Sequence, residues 1–165
     1  MINAWSRSDT PLKAQRAFVL VQDMISRYNA GDMSLKPDVF VYTILIKACA
    51  HIQGTQQEKQ TGLYMSLDAM QILEDTDFGP PNDVAYGAFM MAICRLSDST
   101  HQRETLLEAA FRKCSNRGLV SRNVVDEMNR GGSRRLFRRL TNNTNQLKSD
   151  WSKNVDSRNM PHSGY

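Results

Sequence analysis

Several protein classes lack the residues they would need in this chain. It has three cysteines, Cys49, Cys94 and Cys114, and they share no metal-binding spacing. That excludes a zinc cage and a disulfide framework, and the three read as reduced structural thiols. No stretch approaches the roughly 20 apolar residues of a membrane-spanning helix. Alternating apolar and polar runs are scarce, which argues against a sheet. The sequence shows no glycine-rich phosphate loop, no His-x-Glu zinc pattern and no Ser/His/Asp cue, and His51, His101 and His162 fall in unrelated contexts. The expectation is a chain that is not an enzyme and holds no cofactor or metal. Glu74, Asp75 and Asp77 form a small acidic group at a helix end. Carboxylates there oppose the helix dipole, so the group reads as solvated rather than metal-binding.

A net positive charge is missing from the first two thirds of the chain. From Met1 to Phe111 there are 9 Lys/Arg against 13 Asp/Glu, and from Arg112 to Tyr165 there are 12 against 4. The net charge of +4 is therefore a property of the C-terminal third. A basic end suits phosphate or an acidic surface, and a solvated, partly disordered tail is the bland alternative. A length of 165 residues fits one domain with a modest core.

What is present is apolar patterning of helical period. Helices are expected over Met1–Ser6, Leu12–Asn29, Phe40–His51, Leu63–Thr76, Val84–Leu96 and Thr100–Arg117. A weaker pair is expected over Asn123–Asn129 and Ser133–Leu147. In the second helix Ala14, Ala17, Phe18, Val21 and Ile25 share one face, and Pro11 precedes it. "GTQQEKQTG" reads as a loop, and the polar stretch after Ser152 as a frayed tail.

The chain repeats itself. A shift of 44 residues aligns Ile2 with Ile46 and Met90, Ala4 with Ala48 and Ala92, and Trp5 with Cys49 and Ile93. The same shift aligns Tyr42 with Tyr86, Pro37 with Pro81, and Asp38 with Asn82. Alanine at a fixed place lets two helices approach, the aromatic anchors the pair, and Pro-Asp/Asn ends one pair and caps the next. One such pair cannot bury its apolar face alone, so pairs stack.

"KPDVFVYTILIKACA" (Lys36 to Ala50) resembles the junction between units of the pentatricopeptide repeat family, a Pro-Asp followed by Val-x-x-Tyr opening a first helix. "AQRAFVLVQDM" (Ala14 to Met24) and "LEAAFRKCSNRGLV" (Leu107 to Val120) resemble that family's second helix. The resemblance covers two and a half to three units over residues 1–122. The 44-residue unit is longer than the family's usual one, and the extra residues fall at different places in successive units. The opening "MINAWSRS" looks like the inside of a first helix, so the first unit is expected to be incomplete. The tetratricopeptide family, the near neighbour, wants a Leu-Gly pairing that is absent here.

The resemblance implies an all-α, right-handed α-solenoid of stacked antiparallel helical hairpins. Units would span residues 1–38, 39–82 and 83–122, followed by basic capping helices over 123–150 and a disordered tail over 151–165. It implies single-stranded RNA binding at about one base per unit, in processing, stability or translation of transcripts in a mitochondrion or plastid. The rival class is a helical-repeat scaffold that binds protein partners. An apolar solenoid end also suggests self-association or a protein partner, and no membrane span is expected.

Carried over residue by residue, the resemblance makes Thr43 and Asn82 a base-selecting pair, one associated with adenine in the family. Gly87, paired with Arg122, would give little base choice, and Asp38 would end the first unit. Phe40 and Val84 would pack between bases. An amide or hydroxyl can discriminate the edges of unstacked bases. The plain alternatives are that Thr43 decorates a helix, Asn82 is an N-cap, and Phe40 and Val84 are core. Tyr42 and Tyr86 are expected in the core. "SRRLFRRLTNN" (Ser133 to Asn143) is a basic amphipathic segment. Its Arg134, Arg135, Arg138 and Arg139, with Arg122, are expected to meet phosphates, while Leu136, Phe137 and Leu140 form the apolar side; an acidic protein, an anionic membrane surface or a plain solvated capping helix are the open alternatives for the segment.

Overall fold

The computed structural model describes residues 13–76, 78–141 and 147–161. The expected helix over Met1–Ser6 lies outside them, as do Ile2, Ala4, Trp5, Pro11, Asp77 and His162. The described residues form seven α-helices and no strand, so the fold is all-α. The helices are α1 (Lys13–Asn29), α2 (Val39–Ala50), α3 (Gln56–Asp75), α4 (Asp83–Leu96), α5 (Thr100–Asn116), α6 (Arg122–Gly131) and α7 (Arg134–Leu140).

Side-chain caps set most helix starts. Asp38 Oδ1 accepts from the Val41 N–H at 2.9 Å, and Asn82 Oδ1 from the Ala85 N–H at 2.9 Å. Ser99 and Ser133 hold the N–H groups of Gln102 and Leu136, each at 3.1 Å. Each cap satisfies a donor that the first turn leaves without a helical partner. Helix α3 begins seven residues before the expected Leu63. Thr55 and Glu58 form a reciprocal capping box, Thr55 N–H donating to Glu58 Oε2 at 2.7 Å and Glu58 N–H to Thr55 Oγ1 at 3.3 Å. The polar run "QQEKQ" is thus a helix on the surface, not a loop.

Helices α2, α4 and α6 lie side by side in one layer. Helix α3 packs on α2 and α4, α5 packs on α4 and α6, and α1 packs on α2. This explains why α4 is apolar nearly all round: Ala85, Tyr86, Ala88, Phe89, Met90, Ala92, Ile93 and Leu96 are all buried against neighbours. Small residues let the layer close up. A Cβ on Gly87 would stand 3.2 Å from Cβ of Asn123, so glycine there allows α4 and α6 to touch at near backbone distance. Between the layers, Phe78 stacks on Tyr42 at 6.1 Å between ring centroids and meets Tyr28 edge-on at 5.9 Å. The turn before α4 is thereby fastened to α1 and α2.

The C-terminal part of the chain departs from expectation. Helix α6, within the segment expected to cap the repeats, packs on α4 as α4 packs on α2. The expected helix over Ser133–Leu147 ends at Leu140, residues 142–146 lying outside the description. The tail expected to be disordered from residue 151 is folded back through Pro161. Val120 N–H donates to the Trp151 carbonyl at 2.8 Å, Ser152 Oγ to the Val120 carbonyl at 2.6 Å, and Asn154 N–H to the Gly118 carbonyl at 2.9 Å. Trp151 stands edge-on to Phe111 at 5.4 Å, and Asn159 Nδ2 donates to Asp83 Oδ2 at 3.3 Å. Gly118 makes the turn at φ +68, where a Cβ would come within 2.6 Å of Lys153 Cγ and 3.1 Å of the Asp150 carbonyl oxygen. One aromatic and a few backbone bonds outweigh the polar composition that pointed to disorder.

Candidate nucleic-acid interface

The helix caps bring the repeated positions into register. Asp38, Asn82 and Ser121 stand at the N-caps of α2, α4 and α6. The first spacing is the 44 residues seen in the sequence, and the second is shorter. Ser121, not Arg122, is therefore the third member of the series. Arg122 is the first helical residue of α6, equivalent to Val39 and Asp83, and its Nε is buried without a hydrogen-bond partner. In the same register Phe40, Val84 and Asn123 share the second helical position, and Thr43, Gly87 and Asp126 the fifth. The contact of Gly87 with Asn123 shows how these rows meet: the fifth position of one helix abuts the second position of the next.

The individual residues differ in what they have free. Phe40 is 58 % exposed, a large ring on the surface, and Val84 is half-buried. Thr43 is only 5 % exposed, and its hydroxyl donates to the Val39 carbonyl at 2.6 Å. That bond uses its one proton and leaves only acceptor capacity. Asn82 and Asp38 each commit an oxygen to capping, and Asn82 keeps its NH2 group uncommitted among the described residues. Gly87 is buried and offers no side chain. Tyr42 and Tyr86 are fully buried, as expected of anchors.

Burial governs the titration of the core groups. Desolvation pushes the Tyr42 hydroxyl up to about 12 and the Cys49 and Cys94 thiols up to about 11, and raises Cys114 further. These thiols are inert packing groups at neutral pH. Glu74, expected to be solvated, is instead largely buried. It accepts from the Tyr86 hydroxyl at 3.3 Å and from Lys113 Nζ at 2.5 Å, joining α3, α4 and α5. A tertiary partner distant in sequence overrides the unfavourable helix-end position.

The basic segment divides. Arg134, Arg135 and Arg138 are exposed, whereas Arg139 pairs with Glu108 of α5, which Arg112 also contacts. The two guanidinium groups, Arg112 first, hold the Glu108 carboxyl below its usual range. Among the described residues no group of His, Cys, Asp and Glu is placed to hold a metal, and no helix is long and apolar enough to cross a membrane. Comparison with family models, with curated proteins and with solved structures finds no match to this chain.

The sequence reading missed Ser121, Asn123 and Asp126 as a third set of repeated positions. Their signal was a serine ahead of "RNVV", with Val125 standing where the other units have Tyr42 and Tyr86. The shorter second spacing hid it.

Proposed function

We propose that the chain is a short right-handed α-solenoid of the pentatricopeptide kind that binds single-stranded RNA along α2, α4 and α6. Its role would be in organellar transcript processing, stability or translation. The observation that carries this reading is the cap register. Asp38 and Asn82 hold equivalent first turns, and each stands five residues ahead of the position that the resemblance assigns to base selection. Phe40 offers a stacking surface, and the free NH2 of Asn82 offers a donor to a base edge. Thr43 can only accept, and Gly87 contributes nothing, so base choice is slight and affinity per unit is low. Fluorescence anisotropy with A-rich, U-rich and C-rich single strands and a duplex tests this. Preference for the A-rich strand, weakened by Thr43→Ala and by Asn82→Asp, supports base reading. Equal weak binding to every probe removes it.

A protein-binding scaffold is the second reading. The burial of Thr43 and its bond to Val39, with the excess of acidic groups before Arg112, favour it. It predicts no RNA binding that survives moderate salt.

A further inference from the structure

Helix α7 is pinned to α5 at both ends. Glu104 Oε1 accepts the Ser133 N–H at 3.1 Å, and Glu108 holds Arg139. Leu136 and Leu140 fill the core beneath, 1 % and 7 % exposed. This anchoring uses one arginine and two leucines of the segment and turns the others outward. The guanidinium groups of Arg134, Arg135 and Arg138 make no hydrogen bond or ion pair among the described residues. Phe137, expected on the apolar side with the leucines, departs from them: it is half-buried and stands outside the core cluster. It lines a groove of about 380 Å³ between the end of α6 and α7, together with Arg134, Arg138, Met128 and Asn129.

This is an unusual use of a phenylalanine. It lines the same groove as two unpaired cations, Arg134 and Arg138, three residues before it and one after it in the chain, on an element whose orientation is fixed from behind. An acidic peptide would satisfy the arginines and leave the ring idle. A nucleotide uses both, because a guanidinium fork matches a phosphate and an aromatic face takes a base of any sequence. We infer that this groove binds one nucleotide of a single-stranded nucleic acid, its phosphate on Arg134 and Arg138 and its base against Phe137. The inference shares only its ligand class with the reading above. It uses different elements from Thr43 and Asn82, so each can fail without the other.

The test uses the full chain and a short labelled oligouridine RNA in fluorescence anisotropy across a salt series, with a duplex of the same length and an oligoglutamate competitor. Arg134→Ala and Arg138→Ala, made singly, are each expected to weaken binding about fivefold at low salt and to lower the salt slope by about 0.7. Phe137→Leu keeps the bulk but removes the ring, and is expected to cost roughly fivefold with the slope unchanged. Arg135→Ala, outside the groove, is expected to cost less than about twofold. Thermal melts check that each variant is folded. Unchanged binding by folded Phe137→Leu, or equal losses for all three arginines, would reduce the site to diffuse positive charge and overturn the inference. Duplex binding as tight as single-strand binding would do the same, and so would full displacement by oligoglutamate at equal concentration. If the Thr43 and Asn82 variants are silent while the groove variants lose binding, the groove stands and the base-reading proposal falls.

Discussion

The cap register makes a quantitative prediction at Asn82. Its Oδ1 accepts the Ala85 N–H at 2.9 Å in a partly buried setting, and Ala85 itself is fully buried. Asp38 makes the equivalent bond to Val41 at the same distance, but in an exposed setting. Removing a cap acceptor costs about 0.5–2 kcal/mol. Water can replace the lost partner at Val41 more easily than at Ala85, and an unsatisfied buried donor carries the larger penalty. Asn82→Ala should therefore cost about 1–2 kcal/mol and Asp38→Ala about 0.5–1 kcal/mol. Asn82→Asp keeps an acceptor and adds a charge that the helix N-terminus favours, so it should lie within about 0.5 kcal/mol of the parent. Urea titration followed by circular dichroism measures all three, with an unchanged m-value confirming that only stability has moved. If Asn82→Asp loses as much as Asn82→Ala, or Asp38→Ala loses more than Asn82→Ala, the cap reasoning is wrong. Because Asn82→Asp is stable on this reasoning, its effect on base preference isolates the amide donors from the cap.

Other expectations follow from the same structure. Trp151→Ala removes the edge contact with Phe111 and should cost about 1–3 kcal/mol, less than for a fully buried tryptophan; limited trypsin digestion should then cut at Lys148 or Lys153 sooner, and parental cleavage rates would deny the tail its anchoring role. Glu108 has a folded-state pKa below its ordinary value of 4.5, so its pairs with Arg112 and Arg139 contribute stability above that value and lose it as pH falls through the depressed one. Melting temperature should accordingly drop on the acid side of pH 4.5, with Glu108→Gln showing a smaller drop than the parent; identical pH profiles would contradict this. Cys49 and Cys94, their thiols pushed up to about 11 by burial, should react slowly with a disulfide reagent at mildly alkaline pH in the native state and quickly in urea, whereas fast native labelling would mean that the core opens.

Helical period, Pro-Asp and Pro-Asn junctions and alanine spacing made the all-α class and most helix positions legible from local chemistry. A cap acts three residues away and an amphipathic face repeats every three to four, so both are written in adjacent residues. The start of α3 was legible in the same way, since Thr55 and Glu58 spell a capping box, but the polar run after them masked it. Long-range partners decided the rest. Glu74 is held by Tyr86 and Lys113, and Arg139 by Glu108, while Trp151 draws a polar tail onto Phe111. Nothing near these residues in sequence distinguishes Arg139 from Arg138, or Phe137 from Leu136. Only the pinning of α7 against α5 determines which side chains are spent on holding the fold and which remain free to meet a ligand.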